Sequence, residues 1–467
     1  MFNFKLIIMK NIKYKIFGSV LLLGLLTSCT EKDLDLKPIS STYEGEFFKT
    51  DNDVYGLVLG IYDGLQAVPM REFTLLEMRS DNATSALHEG EYQELETFDV
   101  DPTNSVSTNY YAANYNVIYR ANQVLDNVGL VVNASNKTLF TAEAKFARAL
   151  AYFNLVRAYG EVPVVDKLVT AGDTQYFAKK SIATIYTFIE KDLIEAITSG
   201  LPVKISSTSP TFGRATKQAA QGILSKVYLT QGKFTDAKAI LATLVTDSKY
   251  TLQTGATGYS NVFKVEGNDE ILFAIPYTND SQFESQTFSI EMTSSGGASG
   301  LNYITNNFRT FMLASTGDYR TSTNMLGSSN ILTNKWTRTS SAAALAGNDW
   351  VVLRLSDIYL MYVESILANG TSTADAAAIT YYDRVRNRSF ATAVTSTSIT
   401  KTMLLNERRK EFAYENQRLY DLIRFEVANT VLGAYSTTFT TTKDLLLPLP
   451  QSQINTSKGL LIQNPLY

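Results

Sequence analysis

Apolar residues recur every three to four positions along most of the chain, and this spacing predicts a succession of helices. The run TAEAKFARALAYFNLVRAYG (Thr141 to Gly160) places Ala142, Phe146, Ala149, Leu150, Phe153 and Val156 on one stripe, with Thr141 as N-cap and Gly160 as stop. It reads as an amphipathic helix. SIATIYTFIEKDLIEAITSGLP repeats Ile182, Ile185, Ile189, Leu193 and Ala196 before Gly200 and Pro202 end it. Arg214 to Gln231 carries a small-residue face of Ala215, Ala219, Ala220, Ile223, Leu224 and Val227; after Gly232 a partner helix carries Phe234, Ala237, Ile240, Leu241 and Leu244. Small residues where two helices would cross, and glycine at the turn between them, suit a tetratricopeptide-like hairpin, although no strict 34-residue period is present.

Further helices are predicted over Asn109–Asn127, Leu355–Ala368 with Gly370 as stop, Ala374–Arg386 and Thr402–Phe425. The segment Ser248 to Asp349 breaks the pattern. It is rich in Gly, Ser, Thr and Asn, and its short apolar runs, such as ILFAIPY (Ile271 to Tyr277), read as a few strands among loops. The fold class is therefore mainly α, with a packed loop-rich region containing a few short strands. Long irregular stretches inside a packed domain tend to carry function, which draws attention to this one.

The amino terminus is patterned differently. Lys5, Lys10, Lys13 and Lys15 precede the run Ile16 to Leu26, eleven residues long and so too short to span a bilayer. This is the build of a signal peptide over residues 1–28, and Met9 followed by Lys10 gives a more ordinary basic start than Met1. Leu26-Thr27-Ser28-Cys29 resembles the bacterial lipobox, so Cys29, the one cysteine of the chain, is expected to carry lipid. Elsewhere no apolar run reaches eighteen residues; acyl chains at Cys29 would be the anchor.

Composition narrows the chemistry. The 467 residues hold 42 basic and 45 acidic side chains, a net charge of −3, and cleavage before Cys29 would remove four lysines and no acid. Nothing pulls such a surface toward nucleic acid. One histidine, His88, and one cysteine leave no metal centre of the usual imidazole or thiolate kind, and no metal or cofactor is expected. No GxSxG, Walker A or dinucleotide-binding glycine pattern occurs in its required context. The 27 Tyr and 24 Phe suit a helical core with rings to spare for binding.

One constellation could pass for catalysis. Glu407 and Glu411 share a helix face, as a paired-carboxylate glycosidase would require. Arg408, Arg409, Arg418 and Arg424 are interleaved with them or follow closely, and cations depress carboxylate pKa values where a general acid needs a raised one. Structural ion pairing is the reading adopted; no enzyme is expected.

Taken together, the lipobox, LDLKPISSTYEGEFFKT onward (Leu34 to Leu65), AEAKFARALAYFNLVRAYGEVPVV (Ala142 to Val165), RATKQAAQGILSKVYLTQG (Arg214 to Gly232), LRLSDIYLMYVESI (Leu353 to Ile366), ERRKEFAYENQRLYDLIRF (Glu407 to Phe425) and LPLPQSQINTSKGLLIQNPLY (Leu447 to Tyr467) resemble the SusD/RagB family of Bacteroidetes outer-membrane lipoproteins. The resemblance implies one domain over 29–467: tetratricopeptide-like pairs at about 34–247 and 350–467, and a ligand-facing irregular insertion at about 248–349. It also implies capture of a glycan or peptide oligomer and its delivery to a SusC-like TonB-dependent transporter. The acidic tether Thr30 to Asp35 is similar to export signals of surface lipoproteins and points to the cell exterior. A lipid-anchored protein-binding scaffold is the alternative, and a surface glycosidase the more distant one.

Ligand contact calls for flat rings beside hydrogen-bonding groups. Two stretches qualify. Arg79 to Tyr115 holds Arg79, Asp81, Asn82, His88, Tyr92, Tyr110 and Tyr111; Tyr303 to Trp350 holds Tyr303, Phe308, Tyr319 and Trp336. Arg79, Asp81, Tyr92, Tyr111, Tyr303 and Trp336 are the expected ligand residues. With only two tryptophans a starch-like platform is disfavoured, and peptides or other glycans stay open.

Overall fold

A computed structural model describes residues 50–85, 90–170, 172–293, 301–326, 331–336 and 345–467, so the predicted signal peptide, Cys29 and His88 lie outside the described residues. Thr50–Tyr467 pack as one unit. Most of its long helices begin where a short polar side chain can accept hydrogen bonds from the first turn. Helix α1 (Asp51–Gln66) opens on Thr50, whose backbone N–H donates to Asp53 at 2.9 Å while its hydroxyl accepts from the Asp53 N–H. Asn104 caps α2 (Ser105–Asn127), Asn133 caps α3 (Ala134–Tyr159), Ser181 caps α4 (Ile182–Thr198) and Thr216 caps α5 (Lys217–Thr230). After the turn at Gly232 comes α6 (Phe234–Leu244), and past the irregular region α7 (Leu355–Leu367) and α8 (Ala376–Asn387), the latter capped by Asp375.

Each of these eight helices packs on the next in chain order, giving four successive pairs in the tetratricopeptide-like manner. The predicted hairpin at α5 and α6 forms. Helix α3 departs from its expected shape. It starts at Ala134, with Asn133 accepting from the N–H groups of Ser135 and Asn136, so Thr141 lies inside it. From Ala142 to Tyr159 it is buried nearly all round, because α2 and α4 cover opposite sides. Its buried charges are paired: Arg148 grips Asp192 at 2.8 and 3.0 Å, and Glu143 pairs with Arg214 while accepting 2.9 Å from Tyr62. Gly160 ends the helix at φ 73, where a Cβ would press on Leu446.

The helix expected over Thr402–Phe425 is two helices, α9 (Lys401–Glu411) and α10 (Arg418–Arg424). Between them Tyr414 (φ 61) and Asn416 (φ 57) turn left-handed. The cause is tertiary. The buried Glu77 carboxylate accepts from the N–H groups of Tyr414 at 3.0 Å and Asn416 at 3.1 Å, Trp336 donates to the Tyr414 carbonyl, and Lys335 donates to the Ala413 carbonyl. These bonds replace the helical ones that the local pattern would have made.

The region 248–349 is less irregular than its composition suggests. Ile271–Ile275 is indeed a strand, β1, buried along its whole length and antiparallel to β2 (Trp350–Arg354), with Ile275 opposite Trp350. Short helices also occur at Gly258–Lys264, Phe288–Thr293, Asn306–Leu313 and Thr321–Asn324. Trp336 stacks on Trp350 with centroids 4.9 Å apart, and Phe263 and Phe288 meet Trp336 edge-on, so aromatic packing joins this region to the scaffold.

Candidate functional site

The paired carboxylates lie in the interior. Glu411 is fully buried and receives Arg354 at 2.6 Å, Arg320 at 3.0 Å and Arg388, while Glu407 receives Arg320 at 2.5 Å. Burial pushes the Glu411 carboxyl up, but Arg388, Arg354 and Arg320 together outweigh it and hold it well below the carboxylate range. Such a group keeps no proton to give. The arginines that hold the pair come from other elements, not from the interleaved ones on α9: Arg408 pairs with Asp357 and Asp421, and Arg409 with Asp81.

Most expected ligand residues are interior too. Arg79 is 1% exposed and donates to the Asp444 carbonyl at 2.6 Å; Asp81 is clamped by Arg418 at 2.7 Å and Arg409 at 2.8 Å. Burial raises the Asp81 carboxyl, yet those guanidinium groups bring it net below its ordinary value. Asn82, Tyr110 and Phe308 are buried, Tyr111 packs edge-on against Tyr159 with its hydroxyl pushed up to about 12 by burial, and Trp336 is fully enclosed with its indole N–H donating 2.9 Å to Tyr414. A ring packed on both faces has none to offer a sugar. This corrects the reading of Arg79, Asp81, Tyr111 and Trp336 as surface groups: residue type alone does not distinguish a core aromatic from a platform.

Tyr92 and Tyr303 differ, being half-buried, and the structure ties together the elements that carry them. Ala83–Thr84 pairs antiparallel with Tyr303–Ile304, setting Tyr303 opposite Thr84. Glu96 accepts from the Thr84 hydroxyl and, at 3.2 Å, from the Ser85 N–H; it lies one turn beyond Tyr92 on the helix Gly90–Thr97. The helix Phe288–Thr293 closes the corner, its Glu291 carbonyl accepting 3.1 Å from the Leu301 N–H. Burial lifts the Tyr92 hydroxyl above its ordinary value and nearby Glu291 adds to this, while the exposed Arg71 acts in the opposite sense. The half-buried Tyr92 ring, with Arg71 and Glu291 near it, can stack on a sugar while those neighbours hydrogen-bond its hydroxyls, and Tyr303 offers a second half-buried ring on the strand paired with Thr84, which Glu96 ties to the same helix.

A second surface escaped the sequence reading. An open groove of about 590 Å³ runs between Val245–Thr254, α7 and α8. Half-buried Tyr381 packs on Tyr359 at 4.9 Å and on Tyr362 at 5.5 Å, and the exposed Arg384 lies over Tyr381 at 5.0 Å. Tyr381 and Arg384 stand one turn apart on a predicted helix, a ring and a cation on one face, which was the available signal. Among the described residues no His/Cys/Asp/Glu group suits a metal, and no helix is long and apolar enough to cross a membrane.

Comparison with known proteins places this architecture. A model described as the SusD family matches residues 213–467, and one described as "Starch-binding associating with outer membrane" matches residues 33–229. SusD-like protein P2 of Formosa agariphila is 26% identical over 97% of this chain and all of its own length; a SusD-like protein of Bacteroides ovatus is 26% identical over 85% of this chain and 80% of its own. Among solved structures, a laminarin-binding SusD-like protein superposes with TM-score 0.77 at 24% identity, over 90% of this chain and 100% of that one. Surface glycan-binding protein A of Bacteroides thetaiotaomicron, in complex with laminarihexaose, gives TM-score 0.75 at 20% identity over 89% and 99%.

Proposed function

The chain belongs to the SusD family, and on that premise we propose that it is a surface glycan-binding protein of the outer membrane, lipid-anchored at Cys29, that captures an oligosaccharide and passes it to a TonB-dependent transporter without covalent chemistry. The observation that carries this reading is the match of two family descriptions from residue 33 to residue 467, one of which names starch binding and outer-membrane association. The names of the laminarin-binding and laminarihexaose-bound relatives favour glycan over peptide. The corner of Tyr92 and Tyr303 supplies suitable chemistry, and the ionised, arginine-bound state of Glu411 weighs against the glycosidase alternative.

Calorimetry of the detergent-solubilised chain against starch-type and laminarin-type oligosaccharides, with chromatography of the ligand afterwards, tests the reading. One class is expected to bind with micromolar to millimolar Kd and to be recovered intact. Shortened sugar products would replace the binding role with an enzymatic one, and no affinity for any glycan would remove it.

A further inference from the structure

The connection between α2 and α3 has the wrong composition for a surface turn. After α2 ends at Asn127 the chain runs Val128-Gly129-Leu130-Val131-Val132 before Asn133 caps α3. Loops between helices are ordinarily polar, because they run over the surface in water. Here Val131 turns inward at 4% exposure, but Leu130 is 44% exposed and Val132 is 90% exposed, the most open large apolar side chain among the described residues.

Hydrogen bonds hold these side chains out. Val128–Leu130 form one tight turn, closed by the Val131 N–H donating to the Val128 carbonyl at 3.2 Å. The Asp51 carboxylate then accepts from the N–H groups of Val132 at 2.7 Å and Asn133 at 3.1 Å, and from the Asn136 side chain at 3.4 Å. Helix α4 ends at the same edge, where Gly200 comes close to Thr138 of α3, and Val203 beyond it is 40% exposed.

The partner follows from position and composition. Asp51 is the first residue of α1, so the loop is bonded to the point where the segment that follows Cys29 enters the fold. A tether raises the effective concentration of one of its ends at the other, and acyl chains on Cys29 thereby present this edge to the bilayer. Protein-binding hot spots rely on Trp, Tyr and Arg, whereas the tip offers only Val, Gly and Leu. Lipid needs no such complementarity and responds to buried apolar area. The nearest charged residues along the chain are Asp126 and Lys137, so no basic cluster adds an electrostatic contribution.

We propose that Leu130 and Val132 dip into the lipid interface beside the anchor, a second membrane contact that decides which edge of the protein faces the bilayer. The proposal rests on the lipid anchor at Cys29 and is independent of which glycan is captured. Two aliphatic side chains bury too little area to hold the protein alone, so loss of the lipid still releases it.

A tryptophan placed at the tip tests this. Both native tryptophans are enclosed, Trp336 at 0% and Trp350 at 3% exposure, so Val132→Trp reports its own surroundings. The full chain with its native acyl groups is reconstituted in phosphatidylcholine vesicles, with and without bromine on the lipid chains. The introduced ring is expected to emit at shorter wavelength than in the Cys29→Ala chain free in solution, to lose most of its intensity to brominated lipid and to be shielded from aqueous iodide. Adding Leu130→Ser should weaken that quenching with the melting temperature kept. Ile182→Trp, at the opposite end of α4 about 25 Å away, should stay open to iodide and insensitive to bromine. A chain that remains on the vesicles while the ring at 132 is open to iodide and unquenched by bromine overturns the proposal and leaves the anchor standing. Shielding that arises only in native outer membrane, and not in lipid vesicles, also overturns it and gives the loop a protein partner instead. A chain that does not associate with vesicles at all removes the anchor, and this contact with it.

Discussion

Arg354 and Glu411 form an ion pair at 2.6 Å with neither side chain more than 1% exposed. Arg354 stands at the end of β2, Glu411 at the end of α9, and the same guanidinium donates 2.8 Å to the Glu411 carbonyl where α9 breaks. The pair thus fastens the strand beside the irregular region to the turn between two scaffold helices. Glu411→Gln should lower stability by about 3–5 kcal/mol, since three buried cations would lose their shared counter-charge. Denaturant unfolding measures this, and oligosaccharide affinity below the transition should stay unchanged.

Acid should attack the same interaction. The Glu411 carboxyl is held below its unfolded value, so the folded state binds fewer protons and the stabilisation is complete above about pH 4.5. It is lost progressively as pH falls below that toward the depressed folded value. Melting curves between pH 6 and pH 3 should show a decline that the Glu411→Gln variant shows less steeply.

Asp349 should give the opposite slope. Burial lifts its carboxyl to about 7, nearby Glu266 contributing and the Tyr277 N–H, 3.2 Å away, opposing. The folded state therefore holds a proton that the unfolded chain has released, and stability falls as pH rises from about 4 to 7, by at most about 1.4 kcal/mol per pH unit. Asp349→Asn should match the wild type near pH 4 and melt several degrees higher at pH 8.

Tyr92→Ala and Tyr303→Ala should each weaken oligosaccharide binding by a few-fold to tenfold with little change in melting, because each ring is only half-buried. Trp336→Ala should behave differently. It empties a site enclosed by Phe263, Phe288 and Trp350, at a cost of about 3–5 kcal/mol in stability. Calorimetry and thermal melting of the three variants separate the two behaviours.

Cys29→Ala should release the protein from membranes, since the expected anchor is a lipid on that thiol. Fractionation after a high-salt wash reads it directly, and a variant that still sediments with the outer membrane would require another attachment.

How far the sequence reached depended on the range of the forces involved. Helical spacing and the stops at Gly160, Gly200 and Gly232 are local, and the helices read from Ile182 to Gly200, from Arg214 to Gln231 and from Phe234 to Leu244 stand within a few residues of Ile182–Thr198, Lys217–Thr230 and Phe234–Leu244. The strand at Ile271–Ile275 was legible for the same reason. The break between α9 and α10 was not, because it is imposed by Glu77, Trp336 and Lys335, distant in sequence, and overrides an uninterrupted helical pattern. Exposure was equally hidden: Tyr92 and Trp336 looked alike as aromatic residues among polar neighbours, and only packing made one a partly open ring and the other core. The arginines on α9 announced ion pairing, but which cations reach Glu411 was decided by the approach of Arg320, Arg354 and Arg388 from other elements. Periodicity along one chain fixes most of what each segment becomes; where a distant side chain interrupts it, which side chains are desolvated, and who neutralises them depends on segments that meet only after folding.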